Sequence, residues 1–459
     1  MQDIPGKIHF IGIGGAGMSG LARVLLDLGF DVRGSDINST PVTERLKALG
    51  ATIYRGHAGV NVGDAELVVY STAIGADNPE MQAAREKGVQ VIHRADLLGL
   101  LMKRQKGLAV AGAHGKTTTS AMLALVLEKC QQDPTILIGG ELTDIGGNAK
   151  FGRGAFLVAE ADESDRSFLK LQPYLAVVTN IEDDHLDHYG SLEEIINAFR
   201  QFISKIPANG TAVLCIDDEH VRAVAADCAG QVITYALDNP NADYTVCDIR
   251  VDAGGSTGEV YSKGRYLGKL VLAVPGRHNL ANALAVVAVC RNIGLSFGEV
   301  ARCLQGFKGA GRRYQLIGRE KGITVVDDYA HHPTEIAATL RAARQVHSGR
   351  VIAVFQPHRY TRTQLLFRRF GACFADADMV IVNDIYSAGE KPIAGVSAGL
   401  IADAVQASKG ERPQQLPSGS KTVDYLTGIL REGDLVLTMG AGDVWKTGVE
   451  LVNRLKESK

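Results

Sequence analysis

Residues 107–130 read GLAVAGAHGKTTTSAMLALVLEKC, an apolar strand-like run, then a glycine-rich turn, then a long stretch of helix-forming residues. The same rhythm appears upstream, where KIHFIGIG precedes MSGLARVLLDLG and ELVVYST precedes NPEMQAAREKG. It returns in the last third as VVDDY before PTEIAATLRAARQ and RVIAVFQ before RTQLLFRRFGACF, with MVIVNDIY and DLVLTMG closing the series. Alternation of this kind predicts an α/β fold with mostly parallel sheets. Residues 231–275 break the rhythm with short alternating runs, DYTVCDIRVD and EVYSKGRYLGKLVLAVPG, split by Gly, Asn and Asp. They predict a small antiparallel β insertion in the middle of the chain.

Around this pattern, 459 residues leave room for about three domains of ~150 residues each. Charged, non-periodic segments at LMKRQKG (101–107) and FKGAGRRYQ (307–315) place the breaks. The expected division is a Rossmann-like N-terminal domain over 1–104, a central P-loop-type domain with the β insertion over 105–313, and a Rossmann-like C-terminal domain over 314–459. With 46% apolar and 22% charged residues, the composition is that of a globular chain and fits neither extended disorder nor a coiled coil. A formal charge of −2, from 49 Lys and Arg against 51 Asp and Glu, offers no global field for nucleic acid or an acidic membrane surface. Seven cysteines without a C-x-x-C pair fit reduced thiols, and neither a signal peptide nor a long uncharged apolar run is present, so a cytoplasmic location without membrane insertion is expected.

Two loops carry the first chemistry. Gly12-x-Gly14-x-x-Gly17 follows a strand-like run and opens a helix, and Asp36 ends the next strand. The spacing meets the dinucleotide-binding fingerprint, but its physical content is narrower. The glycines let the backbone approach a pyrophosphate, the helix N-terminus offers N–H donors, and the carboxylate can accept from a sugar hydroxyl. NAD or a UDP-sugar would satisfy it equally. The second loop, Gly112-Ala113-His114-Gly115-Lys116-Thr117-Thr118, ends in the G-K-T of a P-loop, although Val110 stands where the strict pattern has Gly. Its N–H groups would cradle phosphates, Lys116 would neutralise the β and γ oxygens, and the Thr117 hydroxyl would reach Mg²⁺.

Glu160 in FLVAEADES and His185 in AVVTNIEDDHLDHY also end strand-like runs. A carboxylate there, beside a P-loop, suits nucleotide-bound Mg²⁺, and a neutral imidazole can complete a second metal position. Solvated loops or helix caps would also explain these acidic strings.

In order, IGIGGAGMSG, AGAHGKTTT, VAEADESDRSF, NIEDDHLDHY, VPGRHNLANALA, DDYAHHPTE and FQPHRYTRT resemble the Mur ligases, over residues 8 to roughly 445. The resemblance implies an ATP-dependent ligase of peptidoglycan precursor synthesis that joins L-alanine to the lactyl carboxylate of UDP-N-acetylmuramate through an acyl phosphate. It implies ATP and Mg²⁺, with Thr117, Glu160 and His185 as metal ligands. Asn279, Asn282, Arg313 and Asp328 are implied at the nucleotide, and Gly14, Gly15, Gly17, Asp36, Ser71 and Thr72 at the UDP-sugar. His332, Arg359 and Arg362 are implied at the lactyl and alanine carboxylates and, with Lys116, Glu160 and His185, make up the catalytic set. Taken by themselves, the Asn residues could cap a helix, Arg313 could be an exposed hinge residue, and HRYTR could be a solvated basic face. If helical, Arg359 and Arg362 would share one face. Several Mur ligases carry a carbamoylated lysine about fifteen residues beyond the metal-binding His. Here Arg200 lies near that place and Lys205 too far along, so no carbamate is assigned. A monomer or weak homodimer is expected. The alternatives are a related ligase that adds a recycled peptide to the same UDP-sugar, a nicotinamide-dependent oxidoreductase, and a nucleotide-sensing module.

Overall fold

A computed structural model describes residues 4–457, which form three sheets. The first has five parallel strands in the order Thr52–Arg55, Asp31–Asp36, Lys7–Ile11, Leu67–Tyr70, Gln90–His93. The chain leaves Lys7–Ile11 toward one edge and later returns to its other side. The glycine loop therefore sits at a topological switch point, where open α/β sheets bind ligands.

The second sheet has ten strands. Its parallel core runs Gln231–Ala236, Thr211–Cys215, Leu175–Val178, Lys106–Ala111, Phe156–Glu160, Thr135–Leu142. At one edge Gly147–Lys150 adds an antiparallel strand, and at the other Tyr244–Asp252, Gly255–Ser262 and Arg265–Leu272 form an antiparallel meander. The insertion expected over 231–275 thus begins later. Gln231–Ala236 pairs in parallel on both sides, and the short helix Glu219–Val224 carries the chain to it from Thr211–Cys215, as a parallel connection requires.

Central strands buried on both faces read as continuous apolar runs. In Lys106–Ala111, Leu108 and Val110 enter one core and Ala109 and Ala111 the other. The P-loop helix Lys116–Lys129 is buried from Thr118 to Leu127 and packs on the equally buried helix Arg277–Asn292. A helix apolar all round needs neighbours on every side, which explains why AMLALVL shows no amphipathic stripe.

The third sheet has six strands, with Leu435–Met439, the last in sequence, placed between Ile323–Asp328 and Val351–Phe355. Gln315–Glu320 is its antiparallel edge strand. The helices Pro333–Val346 and Tyr360–Cys373 present their N-termini toward the P-loop side of the second sheet. All seven cysteines are free thiols, with the Cys130 and Cys303 sulfurs 3.7 Å apart. No helix among the described residues is long and apolar enough to cross a membrane.

Candidate active site between the three sheets

The P-loop turn starts two residues later than the strict motif. Val110 is a fully buried member of Lys106–Ala111, and the turn opens at Gly112, with φ +135°. A Cβ at Gly112 would lie 2.1 Å from Thr179 Oγ1, and one at Gly115 (φ +81°) would lie 2.7 Å from Asn282 Oδ1. Both positions therefore require glycine. The Thr179 hydroxyl donates to His114 O at 2.6 Å, while His114 N donates to Asn180 Oδ1 at 2.8 Å. The loop is thus held by the end of the neighbouring strand.

Lys116 Nζ donates to Gly112 O (2.6 Å) and Ala113 O (3.1 Å) and meets Glu163 Oε1 at 2.7 Å. Burial pushes the Glu163 carboxyl up to about 7, against the pull of Lys116. Glu160 accepts from Gly139 N (2.8 Å), Ser120 Oγ (3.0 Å) and Thr117 Oγ1 (3.3 Å). It is therefore fixed beside the hydroxyl expected to share its metal. Hard oxygen donors of this kind suit Mg²⁺. His185 adopts φ +57°, with its ring 3.9 Å from Glu163 Oε1 and 3.5 Å from Asp184. His185 Nδ1 and Glu163 Oε2 are buried without hydrogen-bond partners among the described residues, as atoms that await a ligand would be. Glu163 was not singled out from the sequence, although it lies within EADESD.

A cavity of about 1000 Å³ opens here. It is lined by Gly15, Gly17, Ser71 and Arg94 from the first sheet, by Lys116, Thr117, Glu160, Glu163 and His185 from the second, and by Arg313, His331 and Glu335 from the third. Asp36 is turned inward: its carboxylate accepts from Gly14 N (2.9 Å) and Asn38 N (3.0 Å), bracing the glycine loop. Thr72 donates to Asp165 at 3.2 Å, tying the first sheet to the second. Arg94, unforeseen from the sequence, lies over Gly17 and donates to Asp162 at 2.8 Å.

An adjoining pocket of about 410 Å³ contains Thr118, Asn279, Asn282, Arg313 and Asp328, the nucleotide set that the sequence suggested. Asn279 donates to Pro275 O at 2.7 Å. Asp328 accepts from Tyr314 N and Ala330 N, both at 2.7 Å, and burial raises its carboxyl to about 6 against the pull of Arg313. Arg313 is not an exposed hinge residue, since it lines both cavities and faces Glu335 at 3.6 Å.

The third sheet departs from expectation at its arginines. Arg359 is the N-cap of Tyr360–Cys373, with φ +71°, so Arg359 and Arg362 do not share a helical face. Arg362 is 8% exposed, which excludes a solvated basic face. It donates to Asp184 Oδ1 at 3.0 Å and contacts His358 Nδ1 at 3.2 Å. Burial alone would raise Asp184, but Arg362 and His185 hold it well below the usual carboxylate range. His331 lines the large cavity, whereas His332 is fully buried and packs against His114 in a tilted contact, with ring centroids 4.8 Å apart. Burial would lower the pKa of His114, but Glu335 and Glu182 outweigh it and push it up to about 10.

The same sequence matches the Mur ligase family catalytic domain over residues 7–106, the Mur ligase middle domain over 110–290 and the Mur ligase glutamate ligase domain over 312–442. It is 60% identical over 458 residues to a UDP-N-acetylmuramate--L-alanine ligase of Pelotomaculum thermopropionicum, covering 100% of this chain and 99% of the relative. The chain belongs to the Mur ligase family. A relative of the same name from Desulforamulus reducens is 53% identical, with 100% and 99% covered. Among solved structures, the UDP-N-acetylmuramate-alanine ligase of Thermotoga maritima superposes with a TM-score of 0.83 at 32% identity, covering 99% of this Mur ligase and 100% of that chain. A murein peptide ligase of Psychrobacter arcticus gives 0.73 at 26%, with 98% and 99% covered.

Proposed function

We infer that this Mur ligase is an ATP-dependent enzyme that joins L-alanine to the lactyl carboxylate of UDP-N-acetylmuramate, releasing ADP and phosphate. The observation that carries the reading is the single cavity in which a diphosphate-type glycine loop, a P-loop and third-sheet residues face one another. Full-length similarity to L-alanine ligases, at higher identity than to the murein peptide ligase, favours alanine over a recycled peptide as the acceptor.

A carboxylate has no leaving group, so amide formation first needs a phosphoryl group from ATP, giving an acyl phosphate that the alanine amine attacks. Gly112–Thr118 hold the triphosphate, Asn279, Asn282 and Asp328 the nucleoside side of it, and Arg313 the phosphate charge between the two cavities. Lys116, now bonded to its own loop carbonyls, turns to the transferring phosphoryl oxygens. Thr117 and Glu160 are assigned to one Mg²⁺ and His185 with Glu163 to a second, which when bound neutralise phosphate charge. Gly14, Gly15, Gly17, Ser71 and Arg94 receive the UDP-sugar, with Asp36 and Thr72 bracing that loop. Arg359, His331 and His332 meet the carboxylates, and Arg362 holds Asp184. The working units are 1–104 for the UDP-sugar, 105–313 for ATP and 314–459 to close over both, keeping water from the acyl phosphate. The nucleotide substrates support a cytoplasmic location, and a monomer or weak homodimer suffices because the cavity is complete within one chain.

The test is phosphate release with each substrate omitted in turn. Release is expected to require ATP, Mg²⁺, UDP-N-acetylmuramate and L-alanine together. Release with a tripeptide but not with alanine would move the chain to the peptide-recycling ligases, and NADH-linked turnover would overturn the ligase reading.

A further inference from the structure

One polar cluster between the P-loop and the third sheet holds buried ring nitrogens that no other group satisfies among the described residues. His332 is fully buried, and neither of its ring nitrogens has a hydrogen-bond partner among the described residues. An imidazole in that condition is costly unless something else satisfies it. His332 Nδ1 lies 3.8 Å from Glu182 Oε2, and His114 Nε2 lies 3.5 Å from the same oxygen. One ligand atom from each of the three residues falls within 4.8 Å of the others.

We propose that His114, Glu182 and His332 form a site for a zinc-class divalent cation, separate from the Mg²⁺ positions and bridging the second and third sheets. A tetrahedral ion with ligands at about 2.0–2.2 Å needs donor atoms roughly 3.4 Å apart, close to the two shorter separations here. Two imidazoles and one carboxylate, a set dominated by nitrogen, are donors that zinc-class ions take, whereas Mg²⁺ favours sets dominated by oxygen. The surroundings follow the same chemistry. Glu335 Oε1 lies 3.3 Å from His114 Nδ1, the carboxylate–histidine contact that orients a metal ligand and raises its basicity. The Thr334 hydroxyl donates to Glu182 Oε2 at 2.7 Å, and Arg369 approaches that oxygen to 4.0 Å from the outer side. Three protein ligands leave a fourth position open.

Such an ion would join the P-loop through His114, the segment after Leu175–Val178 through Glu182, and the helix Pro333–Val346 through His332. On the reading above, it would also withdraw His332 from the substrate carboxylates, so the occupied site is inhibitory. Binding itself does not depend on that reading.

The experiment is a Zn²⁺ titration of the full chain against a chromophoric chelator, without nucleotide or UDP-sugar and with excess Mg²⁺ to saturate oxygen-rich sites. One Zn²⁺ per chain is expected, and Co²⁺ in its place should show the visible absorption of a four-coordinate nitrogen and oxygen site without a thiolate band. E335Q should weaken binding by about 10- to 100-fold, and H332A and E182Q by more. C130S/C303S, which removes the contacting thiols, should leave binding unchanged. Circular dichroism of the zinc-free variants establishes that they are folded. The proposal fails if no Zn²⁺ binds above the Mg²⁺ background, if folded H332A and E182Q both keep wild-type binding, or if binding is lost with the cysteines.

Discussion

Arg362 and Asp184 form an ion pair with both side chains under a tenth exposed (8% and 6%), linking the third sheet to the second. Changing Arg362 to Ala leaves Asp184 buried without its partner. Breaking a buried pair from one side costs about 3–5 kcal/mol. At ~1.4 kcal/mol per tenfold, that is roughly two to three and a half orders of magnitude in any equilibrium that needs the third sheet seated. Steady-state kinetics should therefore show kcat/KM for L-alanine and for UDP-N-acetylmuramate falling by at least ~100-fold, with ATP affinity in binding assays near wild type. The double variant Arg362→Met/Asp184→Asn removes both charges and should recover most of the loss, whereas Lys at 362 should rescue poorly because it lacks the planar fork. An arginine that clamps a substrate carboxylate would behave differently, leaving the double variant at least as slow as Arg362→Ala. That result, or wild-type kinetics in Arg362→Ala, would refute the ion-pair role.

Lys116→Ala should lower kcat by at least ~100-fold, as loss of a donor to transferring charge does, while calorimetry finds UDP-N-acetylmuramate binding intact. The variant should still fold, because Glu163 at about 7 can take up a proton near neutral pH. Gly112→Ala drives a Cβ into Thr179 at positive φ and should reduce kcat/KM for ATP by about 100-fold, the scale of a 1 Å misplacement. Asp328, with its carboxyl raised to about 6, binds more protons folded than unfolded between about 4 and 6, so its contribution to stability falls as pH rises through that window. In thermal melts, Asp328→Asn should therefore compare less favourably with wild type at pH 4 than at pH 7, and a constant difference would contradict the raised pKa.

Local patterns were the legible part of this chain. Gly112, Gly115, Lys116 and Thr117 announce a phosphate loop because backbone approach and helix start are decided within a few residues, and the alternation of apolar runs gives the parallel sheets. Even the mismatch at Val110 was readable as a strand residue once the turn was seen to open at Gly112. Partners distant in sequence were not legible. Glu163 meets Lys116 across 47 residues and Asp184 meets Arg362 across 178, and no string of acids says which cation it will face. Glu163, Glu182 and Asp184 therefore looked like solvated loop carboxylates until the sheets assembled around them. Arg359 and Arg362 misled for a different reason: spacing of three suggests a shared helical face only if both residues are helical, and the positive φ of Arg359 ends that symmetry.

The helix behind the P-loop buries every residue from Thr118 to Leu127, and this governs how the molecule comes apart. Its amides cannot meet solvent through fraying, because no face is exposed from which opening could start. Deuterium exchange there must await sub-global opening of the central unit, while the phosphate-binding turn, a few residues away, exchanges through local motion. The boundary between slow and fast exchange is expected near Thr119, whose N–H is the first of the helix to bond back, to Gly115 O. A nucleotide that quiets the turn would thereby extend the cooperative unit by one loop, a change that mass spectrometry of short peptides can follow residue by residue.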